Sequence, residues 1–186
     1  MKNEILTIWQ KIYYEWFGME IDISDFQIPE TYNPEKHFLV LVAKEISISA
    51  VVLAIEKRFN IYLCAEGLDT SMKSDRSPQY GSYLILFNCN IEIEQGLSAK
   101  DLVKKGHKGI TLLERLLLEI LHYSKTKQHL DIDNWILCFG SCDYEGFIPI
   151  LRWDSVDNCL DFAWEIFDNP HSVLCSRFVV SFCWAS

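Results

Sequence analysis

LSAKDLVKKGHKGITLLERLLLEILHYSKTKQHLDIDNW, Leu97 to Trp135, holds the longest periodic apolar segment of the chain. Thr111 is followed three residues later by Glu114, and an apolar run begins at once. That is a capping-box pattern, in which a hydroxyl and a carboxylate satisfy two orphan amides of a helix start. Leu113, Leu117, Ile120, Leu121 and Ser124 then share one helical face, and Leu112, Leu116 and Tyr123 widen the apolar arc. Glu114, Arg115, Glu119, His122 and Thr126 mark the expected wet side. There, an Arg115–Glu119 pair at i,i+4 adds about a few tenths of a kcal/mol. The spacing predicts a buried central helix over about 111–125. Ser98 and Asp101 repeat the cap for a shorter helix that Gly106 and Gly109 end.

Working outward, Ile5 to Phe17 has apolar residues three and four apart and reads as an amphipathic helix stopped by Gly18. Met19 to Ile23 alternates as a short strand. FLVLVA, Phe38 to Ala43, is a continuous apolar run expected in the middle of a sheet covered on both faces. Ser47 or Ser49 caps a helix through Phe59, Ile61 to Cys64 returns as a strand, and Gly67 to Gly81 is a long polar loop. Ser82 to Asn88 is the next strand. Beyond the central helix come four strand-like segments, 134–139, 147–153, 159–165 and 175–182. Tyr144-Glu145-Gly146 and Asp157-Asn158 are the expected hairpin tips. The expected fold is α+β: a mixed or mainly antiparallel sheet packed against the central helix and further helices, in one domain spanning residues 1–186.

Composition narrows the function classes. The chain of 186 residues carries a net charge of −9, which disfavours a phosphate-backbone binder because such surfaces cluster Lys and Arg. No run is long and apolar enough for a membrane span, and the start MKNEILTIWQ lacks a signal peptide's uniform apolar core, so the cytoplasm is expected. Seven cysteines without a repeated spacing read as reduced, mostly buried thiols. The charge is also uneven. Asp131, Asp133, Asp143, Glu145, Asp154, Asp157, Asp161, Glu165 and Asp168 face only Arg152 across residues 128–168. A solvated acidic rim on a sheet explains this; a surface that steers a basic partner is the sharper alternative.

Candidate site residues follow from local chemistry. Cys138 and Cys142 flank FGS with His122 and His129 upstream, a weak zinc signal because no second cysteine pair repeats it. Cys142 as a nucleophile with His129 as base is disfavoured by Asp143 and Glu145 alongside. His129, Asp131 and Asp133 fall on one side of an extended segment and suit an acid–base cluster or a divalent-cation site, although such a segment more often forms a solvated helix-to-strand connection. Asp75 and Arg76 lie in the long loop, where ligand contacts concentrate. Trp153 and Trp164 sit beside acidic residues on expected strands, a mixture that suits a protein-binding face. No Gly-rich phosphate loop, G-x-S-x-G or H-E-x-x-H is present, and no cofactor or metal is expected.

LSAKDLVKKGHKGITLLERLLLE, HLDIDNWILCFGS, GFIPILRWDS, WFGMEIDISDFQIPE and DRSPQYGSYLI together resemble a family of uncharacterised hypothetical proteins from candidate-phylum bacteria. The resemblance spans about Ile12 to Ser181. It implies a bacterial intracellular protein and carries over no activity, cofactor or catalytic residue. The family pattern has Arg after Gly-Ser where this chain has Cys142, which weakens a catalytic or metal role for that thiol.

The leading expectation is a non-enzymatic cytosolic protein-binding domain of inhibitor or immunity type. It would use an acidic, Trp-containing sheet face against a basic protein. The alternative is a small enzyme or ligand-binding domain using the 67–81 loop and the His129–Asp133 segment.

Overall fold

The computed structural model describes residues 2–63, 67–91 and 94–185, without the side chains of Lys2 and Asn3. The capping box forms as its spacing requires. Thr111 Oγ1 accepts from Glu114 N at 3.2 Å, and Glu114 Oε2 accepts from Thr111 N at 2.8 Å. Helix α5 runs from there over Leu112–Thr126 and closes at Lys127, whose left-handed backbone sends its N–H to Tyr123 O. Leu112, Leu116, Leu117, Leu118 and Ile120 are buried, as the wide apolar arc demands.

The expected wet side is corrected. Glu114, Arg115 and Glu119 are 0% exposed, because distant segments bring opposite charges onto that face. Periodicity cannot distinguish a charge facing water from one facing a guanidinium.

Around α5 the chain builds two sheets. In the first, β1 (His37–Val42), β4 (Tyr83–Asn88) and β10 (Val179–Trp184) lie antiparallel with β4 central. In the second the order is β2 (Asn60–Tyr62), β8 (Cys159–Glu165), β7 (Ile148–Asp154), β5 (Trp135–Leu137) and β9 (Leu174–Ser176). The β2–β8 and β5–β9 pairs are parallel and the others antiparallel. Residues of both sheets share one core cluster with α5, α1 (Lys2–Ile12) and α2 (Ile48–Glu56). The fold is α+β, with a helix packed on mixed sheets.

Several strand expectations shift. The apolar run at Phe38–Ala43 forms an edge strand rather than a central one. Its free edge is closed by side chains from the first helix and the π-helical turn Tyr13–Phe17 that extends it. Trp9 Nε1 donates to Leu39 O at 3.0 Å, Tyr13 OH donates to Leu41 O at 3.0 Å, and Ala43 N donates to Tyr13 OH at 2.9 Å. Edge amides and carbonyls are thus satisfied without another strand. Met19–Ile23 forms no strand. Of the expected strand Ile61–Cys64, Ile61 and Tyr62 lie in β2, Leu63 lies just past its end, and Cys64 lies outside the described residues.

The expected final strand, 175–182, is split between the two sheets at Arg177–Phe178. The 67–81 loop holds a short helix α3 (Leu68–Ser71), a two-residue strand β3 (Lys73–Ser74) paired with β6 (Ser141–Cys142), and a 3₁₀ turn Pro78–Tyr80. Asp69 tethers it by accepting from Ile48 N at 2.7 Å at the start of α2. The hairpin tip at Asp157–Asn158 joins β7 to β8, with Asn158 at φ 51°. No helix among the described residues is long and apolar enough to cross a membrane, and no disulfide forms among them.

Candidate functional site

Three of the sequence candidates, Arg76, His129 and Asp131, are held by buried charged residues of α5. At its N-terminus Arg76 makes a two-pronged contact with Glu114, Nε to Oε1 at 2.7 Å and Nη2 to Oε2 at 2.8 Å. The same guanidinium donates to Gly109 O at 2.7 Å, and Tyr83 OH donates to Glu114 Oε1 at 3.0 Å. Burial, then the Glu114 charge, pushes the Tyr83 hydroxyl far above its usual range.

Farther along α5, Arg115 Nη1 donates to Glu119 Oε2 at 2.9 Å, and His129 Nδ1 lies 3.0 Å from Glu119 Oε1. Arg177 pairs with Asp131 Oδ1, and Arg115 Nη2 stands 3.0 Å from Asp131 Oδ2, off the hydrogen-bonding direction. Burial alone would lower the Arg115 pKa; Asp131 and then Glu119 outweigh it and hold the guanidinium above its usual value. Asp131 reaches this position from a left-handed backbone, φ 54°, which Asp tolerates better than most residues. His129 also stacks flat on Trp153 with ring centroids 3.2 Å apart.

Arg76 and His129 therefore meet separate carboxylates, Glu114 and Glu119, on different turns of α5. Arg76 also lines two clefts beside the 67–81 loop. Asp131 is buried.

Trp153 is corrected as an exposed face residue, and Trp164 is half-buried on the same inner face. Leu160, Phe162 and Trp164 alternate onto the inner face of the second sheet, and Trp153 pairs across from Leu160. Trp153 is 5% exposed. The other two candidates stay accessible. Asp133 is exposed and accepts from the Ser155 hydroxyl at 2.9 and 3.0 Å. Asp75 is exposed, and its amide donates to Gly140 O at 2.9 Å. Its side chain borders a cleft of about 720 Å³ that also includes Lys108, His107 and Cys142. Cys138 is fully buried and its thiol pKa is pushed far up by that burial.

The outer face of the same sheet has a different composition. Helix α4 (Ala99–Lys104) covers one half, with Ala99 and Leu102 packed over Leu137, Ile148, Ile150 and Leu174. On the uncovered half, register places Tyr62 beside Asp161 and Asp161 beside Arg152. Continuing the β5–β7 register sets Arg152 beside Trp135, with the guanidinium 4.6 Å from the indole centroid. A row Tyr62–Asp161–Arg152–Trp135 thus crosses four strands. Arg152 also pairs with Asp154 and lies 3.5 Å from Asp161. At the strand ends stand Asp133, Asp157 and Val156, the last 88% exposed.

Electrostatics on this face are unbalanced. Burial raises the Asp161 pKa, and Arg152 offsets this only in part, with Asp154 and Asp157 adding to the rise. Asp154 is lowered first by the Asp157 amide and also by Val156 N and Arg152.

Compared with family models, curated proteins and solved structures, the chain matches none. Among the described residues no group of three or more His, Cys, Asp or Glu is placed to hold a metal ion. Sequence reasoning missed Trp135, Tyr62 and Asp161 as one surface. The available signal was parity: Arg152 is the lone base of the acidic segment, and residues two apart from it share its face.

Proposed function

We propose that the chain is a non-enzymatic cytosolic protein-binding module, of inhibitor or immunity type, that docks a basic partner protein on the outer face of its second sheet. The observation that carries this reading is the outer-face row Tyr62–Asp161–Arg152–Trp135, with Tyr62 exposed and the other three half-buried, and Asp154, Asp157 and Asp133 at its end. Tyr, Trp and Arg are the residue types that dominate interface energetics. An acidic surround raises the encounter rate with a basic surface and repels a nucleic-acid backbone. The alternative built on the 67–81 loop and His129–Asp133 is less favoured because Arg76, His129 and Asp131 are each engaged by an internal charged residue and Asp131 is buried.

The test is affinity capture from the source cytosol with the wild-type chain and Asp161→Lys as parallel baits, at low and high salt. The reading expects a basic protein held by the wild type, lost at high salt and absent from the variant. Equal capture by both baits, or a partner indifferent to salt, overturns it.

A further inference from the structure

The first sheet ends on one side in β10, whose sequence VVSFCW carries no charge and no proline. Two independent sets of hydrogen bonds fix which of its backbone groups point outward. Ala185 N donates to Ser82 O at 2.9 Å, which makes 185 and 82 a bonded pair and, by alternation, Cys183 with Leu84 as well. On the other flank of β4, Leu39 O and Leu41 O face away from it toward Trp9 and Tyr13, so Leu84 and Leu86 must turn their groups toward β10. Both require the N–H and C=O of Phe182 and Trp184 to face outward. No hydrogen bond among the described residues reaches them.

The start of this edge is already closed. Val179 N donates to Lys108 O, Ile110 N donates to Arg177 O, and a bulge follows between Val179 and Ser181. The open part is Ser181 to Trp184, and the Trp184 side chain is 43% exposed. An uncharged open edge is a template for another strand.

We infer that β10 pairs antiparallel with β10 of a second copy, with the twofold axis passing between the two Cys183 residues. This register sets Phe182 opposite Trp184 of the copy, and Trp184 opposite its Phe182, so every outward amide meets an outward carbonyl. Centring on Phe182 instead would spend Trp184 on Val180, which the bulge takes out of line. The rings support the same choice. Phe182 and Trp184 stand edge to face at 5.2 Å on the Tyr83 side of the sheet, and the pairing continues that aromatic cluster across the axis. Each copy carries −9, yet the joining strands themselves carry none of it. The closed interface is isologous and stops at two copies.

The register also makes Cys183 and its symmetry mate a non-bonded antiparallel pair. Its Cα separation of about 4.5 Å lies within disulfide range. The experiment combines sedimentation equilibrium of the full chain with copper-phenanthroline oxidation and mass-spectrometric mapping of linked peptides. The wild type is expected to sediment at twice the chain mass at tens of micromolar or below, more completely at high salt, and to link Cys183 to Cys183. Trp184→Pro removes an outward N–H without touching the bonds to β4 and is expected to be monomeric with an unchanged circular dichroism spectrum. Should that variant unfold, Trp184→Lys is expected to weaken the dimer at least tenfold while staying folded. A wild-type monomer at 100 μM overturns the inference. A dimer that survives both substitutions, or links only through other cysteines, does so too.

Discussion

Arg115 Nη2 stands 3.0 Å from Asp131 Oδ2 in the interior, with both side chains at most 1% exposed. The two residues come from a helix and from the connection that follows it. Together with Glu119 and Arg177 they form a charge-balanced cluster that fixes the end of α5 against β9 and β10. Burying such a cluster contributes little net stability, but removing one member leaves an uncompensated ion in the core.

Asp131→Asn keeps the left-handed backbone accessible and deletes the charge that Arg115 and Arg177 share. We expect a loss of about 3–5 kcal/mol in urea unfolding, with no change in far-ultraviolet circular dichroism before the transition. A loss under about 1 kcal/mol would show that the pair is solvated, as a surface pair is.

Gly140 lies where the FGS segment crosses the entry to α5. A Cβ there would stand 2.6 Å from Gly109 O and 3.0 Å from Ile110 O. Backbone cannot retreat as a flexible side chain can. Gly140→Ala is expected to cost about 1–3 kcal/mol, as overpacking does. A loss under about 0.5 kcal/mol in thermal unfolding would count against the close approach.

His122 is half-buried, and burial holds its pKa below the ordinary histidine value even though Glu119 and Asp131 pull the other way. A depressed folded pKa means that the unfolded chain takes up this proton first. The neutral imidazole therefore contributes stability above the unfolded pKa of about 6.5, lost as pH falls through that value toward the folded one. His122→Gln should flatten the decline in Tm between pH 7 and 5. An unchanged decline would place the responsible proton elsewhere.

Asp161 shows the opposite balance. Burial raises its pKa, so ionising this carboxyl costs more in the folded chain than in the unfolded one. Asp161→Asn is expected to raise Tm at pH 7, with the gain shrinking as pH falls toward the unfolded carboxylate value. It should weaken partner binding at the same time. That trade of stability for function is common at interaction sites.

The legible parts of this fold were those governed by local rules. Thr111 with Glu114, Ser98 with Asp101, Ser47 and Gly18 each act on neighbours within one turn, and each sits at a helix end as its spacing requires. What the sequence hid was long-range pairing. Nothing near Arg115 announces that Asp131 and Arg177 will converge on it, and nothing in FLVLVA distinguishes a central strand from an edge sealed by Trp9 and Tyr13. The site followed the same division. The acidic segment was visible as composition, but which tryptophan it surrounds depends on strand parity, and parity put Trp153 and Trp164 on the inner face of the second sheet and Trp135 on the outer one.

The sharpest measurement sets the two kinds of tryptophan against each other. The captured basic partner is titrated calorimetrically into the wild type, Trp135→Ala and Trp164→Ala, each checked for folding at the working temperature. The account predicts at least a tenfold loss of affinity for Trp135→Ala with the fold intact. For Trp164→Ala it predicts lower thermal stability with near wild-type affinity. Wild-type affinity in Trp135→Ala, or a loss confined to Trp164→Ala, would contradict it.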